Sequence, residues 1–401
     1  MNRLITYTVS ILIFLWSVCT LPFLADPTNL TLGTFSVILL LLLEISAIAV
    51  MFLNFKNVMS SKLNIAVIIW AIYAILNAIV NSEDLFLDCR EILWWPLIYF
   101  LFYFIAFNDF QDKYVRSIIK LFTILFVVLL IQYLSIRSTN FFKYSASGKM
   151  LFESSNAIYF NALLLPLSFL LKKKYSKYIL LISGLILVLL SFKRSPLIYT
   201  VLVIAIAIYY DFIWVKKSNL MNGILISCII IIVGFFAFRY VDNKTDGFIT
   251  KRFELMKVDQ GSGRTEIYKN VWKIYNEKNI ESKLIGSGHN HVIVDNKIRY
   301  KKGDIEHISA HNDFLEILYD FGIIGLVIYL NLIVLLVRRL FYLKSIDDRF
   351  YQANIAAMII FLSMSMVSHL IIYPTYFAYL VILWAITEGI IKRKEIQIGK
   401  E

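Results

Sequence analysis

The residues best placed to do chemistry lie in Ser309-Ala310-His311-Asn312-Asp313-Phe314-Leu315-Glu316-Ile317-Leu318, where the longest polar segment runs into an apolar stretch. Asp313 is a candidate helix cap and Glu316 lies three residues on, a variant of the capping box. His311 and Asn312 are then left at a helix N-terminus, where free N–H groups and the dipole favour negative charge. An imidazole with an ordinary pKa near ~6.5 can take up a proton at such a place. The other reading makes His311 a polar anchor at a membrane surface.

A second candidate is Phe192-Lys193-Arg194-Ser195-Pro196. Ser195 has the chemistry of an N-cap and Pro196 that of a first helical residue. Lys193 and Arg194 would stand beside the positive end of that helix, a phosphate or diphosphate site; the alternative is contact with lipid headgroups. Gly261-Ser262-Gly263-Arg264 is the third. A cation in the first turn of a helix is disfavoured by the dipole, so Arg264 calls for an anionic partner or a salt bridge. His369 and Glu44 fall within apolar runs, where an ionisable residue is by default a functional candidate. His289, His291, His307 and His311 do not follow the H-E-x-x-H pattern and no cysteine lies near, so no metal site is expected. The cysteines Cys19, Cys89 and Cys228 form no C-x-x-C pair.

The elements that must position these groups are set by an apolar composition. The chain is 59% hydrophobic with a mean hydropathy of +0.71, more than a soluble domain can bury, so the bilayer is its solvent. Its net charge of +12 collects in short loops between apolar runs, which marks membrane topology rather than a nucleic-acid surface. Met1 to Leu24 reads as an uncleaved first span.

Runs long enough to cross a bilayer predict an all-α integral membrane protein of about twelve transmembrane helices. The basic loops, among them Lys172 to Lys177, Lys216-Lys217 and Arg338-Arg339, put both termini in the cytoplasm by the positive-inside rule. Residues 1–239 form one membrane domain, 240–312 a large external loop with short amphipathic helices, and 313–401 the last spans and a cytoplasmic tail. Within that loop Ile267, Tyr268, Val271, Trp272 and Tyr275 share one helical stripe. Such a helix packs over the outer ends of the spans or lies in the headgroup zone.

The segment from His311 through Phe321-Gly322-Ile323-Ile324-Gly325 resembles the signature of the O-antigen ligase and Wzy-type O-antigen polymerase superfamily. Ser191-Phe192-Lys193-Arg194 and Gly263-Arg264 are similar to two further family motifs, and Ser155-Asn156 more weakly to another. The resemblance covers roughly the second half of the chain. It implies a polytopic glycosyltransferase in a bacterial inner membrane that uses an undecaprenyl-diphosphate-linked glycan as donor and needs no metal or other cofactor. It implies Arg194 and Arg264 as ligands of the donor diphosphate and His311 as general base; Lys193 joins the diphosphate ligands as the neighbouring cation of the same turn, and Asn312, Asp313 and His369 are the supporting candidates. The implied partners are lipid-linked oligosaccharide, the membrane, and a chain-length regulator and flippase of the same pathway. No segment resembles a dedicated lipid A core site, which favours an O-antigen polymerase; an O-antigen ligase, or a flippase of lipid-linked sugars, is the alternative.

Overall fold

The computed structural model describes residues 11–12, 30–53, 59–109, 113–140, 162–191, 194–214, 264–299, 305–368, 370–371 and 374–398, with scattered positions between 232 and 250. Before the large loop, the helices are α1 (Leu30–Leu53), α2 (Lys62–Asn81), α3 (Leu85–Asn108), α4 (Lys113–Asn140), α5 (Lys174–Ser191) and α6 (Arg194–Ile208). The loop contains α7 (Arg264–Glu277), α8 (Ile280–Ile285), α9 (His291–Asp295) and two short strands, and α10 (Asp313–Leu343), α11 (Asp348–Val367) and α12 (Pro374–Ile398) follow it. The chain is therefore not wholly helical. Strands β1 (Lys297–Arg299) and β2 (Ile305–His307) pair antiparallel, with Ile298 opposite Glu306.

Among the described residues four helices are long and apolar enough to cross a membrane, α2, α3, α10 and α11. They also divide their faces as membrane helices do. In α2, Trp70, Ala74, Asn77 and Ala78 are buried while Ile69, Ile72, Leu76 and Ile79 are exposed. Apolar side chains turned outward satisfy lipid, and the inward face carries the polar anchors. At the centre α12 lies along α3, and a methyl added at Gly389 would come within 2.6 Å of the Tyr103 carbonyl oxygen. Only a residue without a side chain lets the two backbones approach so closely.

Three of the described ionisable groups inside the bundle are paired with cations. Glu44, a candidate because it falls within an apolar run, faces Arg90 at 3.8 Å. Asp211 pairs with Lys177 at 2.6 Å. Glu388 is 1% exposed and pairs with Arg339 at 2.6 Å, so it belongs to a buried ion pair and not to the membrane interface.

The described residues 264–299 and 305–312 fold into a lobe on the first turns of α10. Ile267, Val271 and Tyr275 of α7 are buried with Val292, Ala310 and Tyr319 in a core of their own. Removing a large apolar side chain from water is worth about 1.5–3 kcal/mol, enough for several such residues to hold a small lobe. Trp272 departs from the predicted stripe, being exposed and stacked on Tyr275. Lys278 braces the lobe, lying over the Tyr319 ring and 3.7 Å from Asp295. Burial lowers the pKa of its ammonium, and Asp295 and Asp320 oppose that shift.

The lobe is locked to the bundle where α10 kinks. Gly322 has φ 67° and ψ −172°, outside helical geometry, and a kink frees carbonyls that must find other donors. Ser287 N–H donates to the Tyr319 carbonyl at 3.2 Å and Gly288 N–H to that of Asp320 at 2.9 Å. Tyr73 Oη of α2 lies 2.6 Å from the Phe321 carbonyl and 2.8 Å from that of Ile285. The carboxylate of Asp320 accepts from the amides of Asn290 and Val292, and His289 meets Glu91 of α3 at 3.0 Å.

A side chain at Gly322 should break this lock. An added Cβ would stand 2.3 Å from the Leu284 carbonyl oxygen, and a non-glycine residue in such a conformation costs about 1–3 kcal/mol before any clash. Gly322→Ala should lower the melting temperature in detergent and expose the 284–291 turn to protease. An unchanged melt and cleavage pattern would remove the kink from the account.

Candidate functional site

Where the lobe meets α10, the backbone of His311 turns in the left-handed region with φ 50°. Non-glycine residues are uncommon there. The turn brings the chain from buried Ala310 into the cap of α10. That cap is Asn312, not Asp313: Asn312 Oδ1 accepts from the amides of Phe314 at 3.0 Å and Leu315 at 3.1 Å. The Glu316 amide bonds the Asn312 carbonyl. These first-turn amides are thus taken by the cap itself, and the expected free amides for an anion are reduced.

Asp313 has a different task. Fully buried, it accepts from Ser365 Oγ at 2.7 Å and from the Leu370 amide at 2.8 Å. It thereby ties the start of α10 to the end of α11 and the segment that carries His369. Glu316 does not close a capping box. Its carboxyl is 1% exposed and faces the Ala310 amide without meeting hydrogen-bond geometry.

Arg264 opens α7 and is half-buried. Among the described residues it forms no salt bridge, and its guanidinium acts on the His311 imidazole. Burial first, and the Arg264 charge second, hold the imidazole below its ordinary pKa. His311 is therefore neutral, and able to accept a proton, down to a lower pH than a solvent-exposed histidine. Tyr268, one helical turn beyond Arg264, places its hydroxyl 3.2 Å from the His311 carbonyl and 3.1 Å from that of Met366. Asn312 Nδ2 also reaches the Met366 carbonyl, at 3.1 Å.

The structure thus brings together His311, Asn312, Asp313 and Arg264 from two parts of the sequence. Lys193, His369, Gly261-Ser262-Gly263 and the Arg194 side chain lie outside the described residues. The helix after them begins at Arg194, ahead of the expected cap Ser195. Sequence reading did not connect Tyr268 with His311 and missed Ser365 altogether. The four-residue step from Arg264 to Tyr268 was the available signal, since it puts both on one helical face. No group of three or more His, Cys, Asp or Glu among the described residues is arranged to hold a metal.

Residues 179–330 match the family model described as O-antigen ligase. The matched segment is less than half of the chain and is similar to the O-antigen ligase family over that stretch. It spans Arg264, His311, Asn312 and Asp313 as well as Lys193 and Arg194, so the cluster falls inside the matched segment. No curated protein matches the chain. With its apolar helices, the match supports a membrane protein with an O-antigen ligase- or polymerase-type function. Members of this family are glycosyltransferase-like enzymes.

Proposed function

We propose that the protein is an O-antigen polymerase. It transfers a glycan from undecaprenyl diphosphate to another lipid-linked repeat unit on the periplasmic face of the inner membrane. The observation that carries this reading is the cluster itself: half-buried His311 in a left-handed turn at the Asn312-capped start of α10, joined to the Arg264 helix through Tyr268, inside the family-matched segment.

In the transfer, the acceptor hydroxyl oxygen attacks the anomeric carbon of the donor sugar. A ring nitrogen of His311 takes the hydroxyl proton. The bond from that carbon to the diphosphate oxygen breaks, and undecaprenyl diphosphate leaves with the electron pair. Arg264, with Arg194 and Lys193 from the other motif, offsets the charge gathering on the leaving oxygens. The low imidazole pKa suits this arrangement, because a cation close enough to hold diphosphate also keeps the base unprotonated.

The alternative acceptor is lipid A core, which would make the protein a ligase, and the matched family's description is compatible with that reading as well. The glycan profile of a deletion strain separates the readings. Loss of every band above one repeat is the polymerase result. Free polymer that never reaches lipid A core indicates a ligase, and repeats trapped on the inner leaflet would replace both with a flippase.

A further inference from the structure

The left-handed backbone of His311 is held by a residue that takes no part in the transfer proposed above. A non-glycine residue in this conformation costs roughly 1–2 kcal/mol and persists only where its surroundings fix it. One hydroxyl proton serves one acceptor at a time. Tyr268 Oη stands within reach of the His311 and Met366 carbonyls, and Asn312 Nδ2 donates to Met366. The amide can therefore serve Met366 while the tyrosine serves His311. Tyr268 is half-buried among the side chains of the lobe core. Burial pushes its phenol above the ordinary pKa, opposed by Arg264 and Asn312, so the hydroxyl keeps its proton wherever His311 titrates.

We propose that Tyr268 is a positioning residue for the transfer step, its hydroxyl fixing the His311 peptide and, through α7, the separation of Arg264 from the imidazole. The inference rests on the reading of His311 as the base. From α7, the described groups facing the turn include Arg264 and Tyr268. From α10 they include Asp313, whose carboxyl is engaged by Ser365 and the Leu370 amide, and the buried Glu316. From α11 it is the Met366 carbonyl, held by Asn312. Of these, Arg264 is the charge that acts on the imidazole. Without the hydroxyl, the peptide relaxes toward an ordinary conformation and the ring moves toward water and away from Arg264. Both influences that depress its proton affinity then weaken.

The test is Tyr268→Phe, which keeps the ring and removes only the donor. In proteoliposomes supplied with a polyprenyl-diphosphate oligosaccharide, kcat should fall about 10-fold, since misplacement by an ångström or less is enough for that. The donor KM and the melting temperature should hold. NMR of histidine-labelled protein, with the His311 signal assigned by its loss in His311→Gln, should show the His311 midpoint moving upward in Tyr268→Phe. The acid limb of the rate profile should move with it. A Tyr268→Phe enzyme with wild-type kcat, or an unmoved His311 midpoint, overturns the inference. Failure of the base reading looks different: His311→Gln retains transfer whatever Tyr268→Phe does to the titration.

Discussion

His311→Gln should reduce glycan transfer by about 10²–10⁴-fold, the usual contribution of a general base, while the protein stays folded and still binds donor. Glutamine can keep a hydrogen bond but cannot carry the proton. The wild-type enzyme should lose activity as pH falls through the His311 pKa. Protonation there removes the base, and burial with Arg264 places this acid limb below the ordinary histidine value. Rates measured at saturating donor from about pH 5 to 8 give both quantities. His307 is the control. It sits exposed on β2 with Nδ1 3.0 Å from the Val294 carbonyl, and His307→Ala should be mild. Equal damage from the two variants would point to a folding defect of the lobe instead of a lost base.

Arg264→Ala should cost about 10²–10³-fold, the range seen when one group stabilising a developing anion is removed. The acid limb should move upward at the same time, because one of the two causes depressing the imidazole is gone. Arg264→Lys separates these effects. It restores a charge near His311 and so should return the acid limb toward the wild-type position. Yet it lacks the planar fork that grips two phosphate oxygens, and should recover little of the rate. Full activity in Arg264→Lys would mean that the guanidinium acts only as a local charge, with no diphosphate contact.

Hydropathy made the membrane helices legible, and the junction at His311 was readable because a polar tract meets an apolar run there. The amphipathic stripe of α7 was equally plain, apart from Trp272. What local reading could not reach was pairing over long separations. Asn312 and Asp313 are both good caps, and which one turns inward depends on Ser365 and the Leu370 amide more than fifty positions away. The kink at Gly322 follows from the 284–288 turn and Tyr73 of α2, none of which leaves a mark on the sequence around it. Glu91 and His289 meet across nearly two hundred residues for the same reason. The short β ribbon was missed because three-residue strands carry too little alternation to register.

The most direct test of the account uses purified protein in vesicles, with an undecaprenyl-diphosphate oligosaccharide and an acceptor repeat unit, following the carrier and the glycan together. Each transfer should release one undecaprenyl diphosphate and lengthen one acceptor glycan, and His311→Gln should suppress both to the same extent. Donor that merely redistributes between leaflets with its glycan intact, or transfer at the wild-type rate in His311→Gln, would contradict it.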